Sequence, residues 1–137
     1  MESKNVHPEL TWKIIGSALR VHGELGPGLL ESTYRSCLLH QLRLDGMHAE
    51  GEAPIPLVYK GLRLDSPYRA DIVVDRTALI ELKAVSEILP VHSAQVLTYL
   101  KLSRLPVALL INFDVIRLKD GIRRFVNTIA PSTRADQ

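Results

Sequence analysis

The stretch that decides the fold is Ala78-Leu79-Ile80-Glu81-Leu82-Lys83-Ala84-Val85. It is an apolar run of strand length interrupted by two charges. Extended side chains alternate between faces, so Glu81 and Lys83 share one face and Ile80, Leu82 and Ala84 share the other. Charge inside such a run is costly to bury unless it is paired or bound to a metal. Taken alone, a Glu-x-Lys reads as an ion pair on a solvated sheet face, since the tripeptide is common.

The sequence just upstream shifts that balance. Asp71 opens the apolar run Ile72-Val73-Val74, ten residues before Glu81. Residues 68–74 and 78–85 read as two strands joined by a short turn at Asp75-Arg76-Thr77, a hairpin. That hairpin sets Asp71 and Glu81 roughly opposite each other, and cross-strand partners lie about 5 Å apart. Two carboxylates so close repel unless a cation lies between them. A hard divalent ion, Mg2+ or Mn2+, takes oxygen ligands of this kind. Lys83 beside them is suited to hold a water or to stabilise negative charge on a phosphate. The competing reading leaves Asp71 as a strand-entry residue without a partner.

Downstream, residues 90–103 read as a helix, and residues 107–113 as a strand apolar enough to be covered on both faces. Residues 78–113 are thus strand, helix, strand, a crossover that sets its strands parallel and is nearly always right-handed. Residues 115–118 and 122–126 flank Lys119-Asp120-Gly121 and read as a final hairpin. Upstream, Pro8 and Glu9 suit a first helical turn. Ile14, Ala18, Val21, His22 and Leu25 follow at helical spacing as far as the breaker Gly26-Pro27-Gly28. A second helix is expected over residues 29–45, with Leu30, Tyr34, Leu38 and Leu42 on one stripe and Gly46 at its end. Residues 54–59 read as an edge strand, because Pro54 and Pro56 cannot serve a central ladder. Lys60-Gly61 is a turn. The fold class expected is α/β, a mixed sheet with the N-terminal helices on one face and the 90–103 helix on the other. Residues 1–6 and 131–137 look loose.

Composition sets the bounds. The 137 residues suit a single domain, 1–137, with its core at about 8–126. Hydrophobic residues at 46% and charged residues at 23% exclude a disordered tail or a fibre. Cys37 is the only cysteine, so no internal disulfide forms, and a reducing, cytoplasmic setting is expected. No signal-peptide pattern and no apolar run of the ~20 residues of a membrane span is present. A net charge of +2 is too mild to argue for nucleic acid by itself. One Cys and five scattered His give no zinc-ligand spacing. Aromatic residues at 5% give no platform for stacking single strands.

Other residues stand out less sharply. Glu31 sits near a helix start, where the dipole favours a carboxylate, and it borders the buried stripe through Tyr34 and Leu38. Tyr34 reads as core with its hydroxyl bonded nearby. His22 lies on the apolar stripe of the first helix, either as a satisfied buried histidine or as a hydrogen-bonded support to the site. His92 reads as solvated. Gln95 and Tyr99, at i and i+4, form one polar stripe. Arg117, Lys119, Arg123 and Arg124 crowd the expected last hairpin, and Arg63 and Arg69 precede Asp71. These suit a phosphate backbone or simply a solvated surface.

Asp71, nine intervening residues and Glu81-Leu82-Lys83 together resemble the catalytic signature of the PD-(D/E)XK nuclease superfamily. Gly28-Leu29-Leu30-Glu31-Ser32-Thr33-Tyr34 resembles the motif that names its GxxExxY branch. The similarity runs over about residues 14–126: Val21-His22, Leu25-Gly26-Pro27-Gly28, Tyr59-Lys60-Gly61, Gln95 with Tyr99, Ile111-Asn112-Phe113, and Gly121-Ile122 with Arg124. It implies a restriction-endonuclease-like fold and Mg2+- or Mn2+-dependent hydrolysis of phosphodiesters in nucleic acid, taken as DNA. It implies Asp71, Glu81 and the Leu82 carbonyl as metal ligands and Lys83 as the group that orients or deprotonates the attacking water. Glu31 and Gln95 would join the catalytic set, with His22, Tyr34 and Tyr99 in support. Arg69, Arg117, Lys119, Arg123 and Arg124 are the expected nucleic-acid contacts, and a homodimer is expected. Two departures are modest: Ala70 rather than Pro precedes the first acid, and Asp114 stands where the pattern has Gly. The alternative is a module that keeps the fold to bind nucleic acid or protein without turnover.

Overall fold

The computed structural model describes residues 6–128, apart from the side chains of Ser66 and Pro67. The expectations for residues 1–5 and 131–137 lie outside that range. In chain order the elements are α1 (Pro8–Leu25), α2 (Glu31–Leu44), β1 (Ala49–Tyr59), β2 (Leu62–Val74), β3 (Ala78–Lys83), α3 (Pro90–Ser103), β4 (Val107–Asn112) and β5 (Ile122–Val126). The sheet runs β1-β2-β3-β4-β5. All its pairs are antiparallel except β3 with β4, which the α3 crossover makes parallel.

α1 has Pro8 at its first position and Glu9 in its first turn, as its sequence suggests. It stops at Gly26, whose φ of 71° favours a residue without Cβ, and the Gly26 N–H donates to His22 O. α1 and α2 cover one sheet face, where Ile14, Tyr34 and Leu38 pack on Ile72, Ile80 and Leu109. α3 covers the other, with Val96 and Leu100 against Leu79, Ala108 and Leu110. β4 is buried along its whole length. Each large aliphatic side chain so buried contributes roughly 1.5–3 kcal/mol, which offsets the cost of carrying charge in the same sheet.

The hairpin around Asp75 and Arg76 has both residues at positive φ, 51° and 52°, and Thr77 N–H donates to Val74 O. Such a tight turn matches the strand twist and sets the β2–β3 register. β1 is an edge strand, and its pairing with β2 shifts between Ile55 and Leu57, where Pro56 lies.

Two expectations are corrected. β1 and β2 begin earlier than residues 54 and 68: β1 at Ala49, which is buried opposite Val74, and β2 at Leu62, in the exposed end of the β1–β2 hairpin. Residues 62–65, 68 and 69 are exposed, so no apolar alternation marks that part of the strand. The expected hairpin between residues 115–118 and 122–126 is absent: residues 114–117 are bends, and Leu118–Gly121 is a 3-10 turn. β5 pairs with β4 itself, Ile122 opposite Ile111. Leu118 is buried in the core rather than extended in a ladder. Gly121 serves close approach, since a Cβ there would fall 2.3 Å from the Asn112 carbonyl oxygen.

Face alternation breaks at one place on each of two neighbouring strands. Ala70 packs on the α3 side and Ile72 on the α1–α2 side, although two-residue spacing should keep them together. On β1, Ala49 and Ile55 divide the same way around Glu52, whose φ is 49°. Asp71 sits at the first break, where the β2–β3 ladder stops at Ile72 opposite Ile80.

Candidate active site

Beyond that last ladder pair, backbone groups bond to side chains instead of to each other. The Asp71 N–H donates to Glu81 Oε2 at 3.0 Å, and the Leu82 N–H donates to Asp71 Oδ2 at 2.8 Å. Each acid is thereby held by the main chain of the opposite strand. Glu81 is 4% exposed, because it shares the α3-facing side of β3 with Leu79. Burial, and then the Asp71 charge, push its carboxyl up to about 8.

Lys83 follows on the same face at the rim. Its Nζ donates to Gln95 Oε1 at 3.2 Å, and Gln95 Nε2 donates to the Tyr99 hydroxyl at 3.3 Å. The helical stripe of Gln95 and Tyr99 therefore faces the strand that carries the lysine. Burial and then the Glu81 charge raise the Tyr99 hydroxyl above its usual range. The loop that leaves Lys83 is clamped by Asn112. Its Oδ1 accepts the Val85 N–H at 3.0 Å and its Nδ2 donates to Val85 O at 2.9 Å.

Glu31, the first residue of α2, borders this cluster. Burial raises its carboxyl, the Asp71 charge raises it further, and Lys83, Arg35 and His92 act in the opposite sense. His92 accepts the Leu89 N–H on Nδ1 at the start of α3.

The other candidates lie elsewhere. Tyr34 is fully buried, stacked on Phe113 at 4.6 Å, and its hydroxyl ties down the glycine loop through Gly26 O and Leu29 N–H. His22 Nε2 lies 2.8 Å from Val115 O, so it binds α1 to the bends after β4. Arg69 reaches Glu52 O at the β1 break. Arg117 and Lys119 are exposed on the segment between β4 and β5. Arg123 pairs across with Leu110, on the α3 side, whereas Arg124 pairs with Leu109, on the α1 side, and donates to Val6 O. These five cations do not form one surface.

Two site residues escaped the sequence reading. Arg35 Nη1 donates to Asp71 Oδ1 at 3.4 Å and its Nη2 lies 3.3 Å from Glu52 Oε2. Its signal was present, one helical turn after Glu31. Glu52 had none, because a kink in an edge strand leaves no mark in hydrophobic pattern.

The donor set fits a hard dication. Two carboxylates converge in a sheltered place, where burial and their mutual repulsion outweigh the nearby Arg35 and Lys83 charges and hold the Glu81 carboxyl raised. Among the described residues no three His, Cys, Asp or Glu side chains form a ready-made cage, so other oxygens would complete the shell. A concavity of about 700 Å³ lies apart from this cluster between α1 and α2, lined by Leu19, Val21, Leu25, Cys37 and His40 among others.

A mixed five-stranded sheet with helices on both faces, carrying Asp71 and Glu81-x-Lys83 where β2 and β3 part, is a restriction-endonuclease-like α/β architecture. The family model of the PD-(D/E)XK nuclease superfamily matches residues 8–125, and the chain belongs to that superfamily. Comparison with curated proteins and comparison with solved structures each returned no match. Among the described residues no helix is long and apolar enough to cross a membrane.

Proposed function

We propose that the protein is a divalent-metal-dependent nuclease that hydrolyses phosphodiester bonds in DNA, using Mg2+ or Mn2+. The carrying observation is the reciprocal hold of Asp71 and Glu81 on each other's strands with Lys83 on the Glu81 face. Asp71 and Glu81, with the Leu82 carbonyl, would hold the ion. A bound divalent ion would polarise a phosphoryl oxygen and lower the pKa of a bound water. Lys83, steadied by Gln95, supplies fixed positive charge where negative charge grows on the phosphoryl oxygens, and a preorganised cation helps most there. Glu31 adds a third carboxylate at the border, suited to accept a proton or to orient water. Arg69 is placed to follow a phosphate backbone on the β1 side, and Arg117, Lys119, Arg123 and Arg124 serve a longer substrate or a second subunit of a homodimer. The Gly28-to-Tyr34 motif supports assignment to the GxxExxY branch, and the lone Cys37 supports a cytoplasmic setting.

The test begins with calorimetric titration of Mn2+ into the native protein and Asp71→Ala. Binding that vanishes in the variant is the expected result, followed by Mg2+-dependent cleavage among duplex, single-stranded and branched DNA. Metal binding without cleavage of any of them would favour a module that retains the fold for binding alone. Cleavage that survives in both Asp71→Ala and Glu81→Ala would end the proposal.

A further inference from the structure

Arg35 is a cation already seated at the carboxylates. Its guanidinium bridges two acids on different strands, with Nη1 3.4 Å from Asp71 Oδ1 and Nη2 3.3 Å from Glu52 Oε2. The two acids differ in shelter: the Asp71 side chain is 15% exposed and that of Glu52 is 61%. Both distances exceed the roughly 2.7–2.9 Å of a tight charge-assisted hydrogen bond, so the fork is divided between partners rather than closed on one. Asp71 Oδ2 is committed to the Leu82 N–H, which leaves Oδ1, the oxygen Arg35 holds, as the one without a main-chain donor. Glu52 is fixed in reach by the kink at its positive φ, and Arg69 donates to its carbonyl oxygen.

We propose that Arg35 is an internal competitor for the divalent cation at Asp71, and that Glu52 is the acid that retains Arg35 when the cation takes Oδ1. The inference rests on the metal-site reading above. Two positive charges on one carboxylate oxygen repel, and the long arginine side chain yields more readily than a strand. Glu52, more open to solvent, lets Arg35 turn aside without being left unpaired. Arg35 is thus a positioning residue that sets how tightly the site takes metal.

The experiment is Mn2+ calorimetry on the full chain as native protein, Arg35→Gln, Glu52→Gln, the double variant and Asp71→Ala, each checked for native melting. Arg35→Gln should bind Mn2+ about fivefold more tightly, the size of a partly exposed charge pair. Glu52→Gln should bind more weakly, because Arg35 then presses on Asp71 alone. The double variant should match Arg35→Gln, since Glu52 matters only through Arg35. Unchanged or weaker binding in folded Arg35→Gln overturns the inference, as does a Glu52→Gln loss that persists in the Arg35→Gln background. Should Arg35→Gln fail to fold, an unchanged affinity in Glu52→Gln overturns it equally. Asp71-dependent binding indifferent to Arg35 sinks this inference and leaves the metal site standing. No binding in any of the proteins sinks both.

Discussion

Asp45 and Glu81 are both acids tied into the fold, and the fold treats them oppositely. Asp45, at the end of α2, accepts the Ser17 hydroxyl at 2.6 Å and the Gln41 amide at 3.1 Å, with Arg20 at 3.5 Å. The Ser17 hydrogen bond leads in holding its carboxyl below the usual range, so its charge is welcome. It joins α1 to α2. Glu81 accepts one main-chain N–H, yet burial and the nearby Asp71 push it far above that range. Its charge is unwelcome in the protein alone. An acid that the fold itself satisfies is a fastening, whereas an acid held in place but left unsatisfied awaits a ligand.

The largest expected effect separates the two in function. Asp71→Ala or Glu81→Ala should lower cleavage by about 10³-fold or more, the scale of lost transition-state electrostatics, while the folded protein melts cooperatively. Asp45→Asn should leave the cleavage rate of the folded protein unchanged. Equal losses in both would dissolve the distinction. Next is Gln95→Ala, which frees Lys83 from its acceptor and should cost about 10–100-fold in turnover, with Mn2+ affinity little changed.

The pH dependence of stability should show the same opposition. Between the unfolded carboxylate range and about 8, the metal-free native state holds a proton on Glu81 that the unfolded chain has lost. Stability therefore falls as pH rises through that window, and Glu31 acts in the same direction. Glu81→Gln should flatten the slope and stabilise the metal-free protein at pH 9 by about 2 kcal/mol, measured by urea denaturation. Asp45 works the other way: its lowered carboxyl adds stability above the unfolded range, and that is lost as pH falls through its folded value. The smallest effect is that of Ser17→Ala, which should lower the melting temperature by a few degrees at neutral pH and less in acid. A melting loss that did not shrink in acid would place the effect in packing rather than in the Asp45 charge.

Much of this was legible in the chain because it is local. The 78–85 run, the Asp75-Arg76 turn and the ten-residue separation of Asp71 from Glu81 determine a hairpin register that brings the acids together. Side-chain alternation puts Lys83 with Glu81. Helical spacing places Gln95 and Tyr99 on one stripe, and Tyr34 on the core side of α2. The glycine breaker and the two prolines of β1 state their own backbone constraints.

Tertiary structure decided what depends on neighbours distant in sequence. Pattern alone pointed to a last hairpin, but Gly121 meets the Asn112 carbonyl and Leu118 turns into the core, so β5 pairs with β4. Arg124 bonds to Val6 on the α1 side while Arg117 and Lys119 stay on the exposed segment before β5, which divides a basic cluster that looked continuous. The break in alternation at Asp71 and Glu52 left no periodic trace, and so neither Arg35 nor its two acids could be joined on sequence grounds. Short-range sterics and hydrogen bonding determine turns, spacing and register, and these are written residue by residue. Which charges end up adjacent, and whether the fold satisfies them, depends on packing between elements far apart along the chain, and that exists only once the sheet has closed around them.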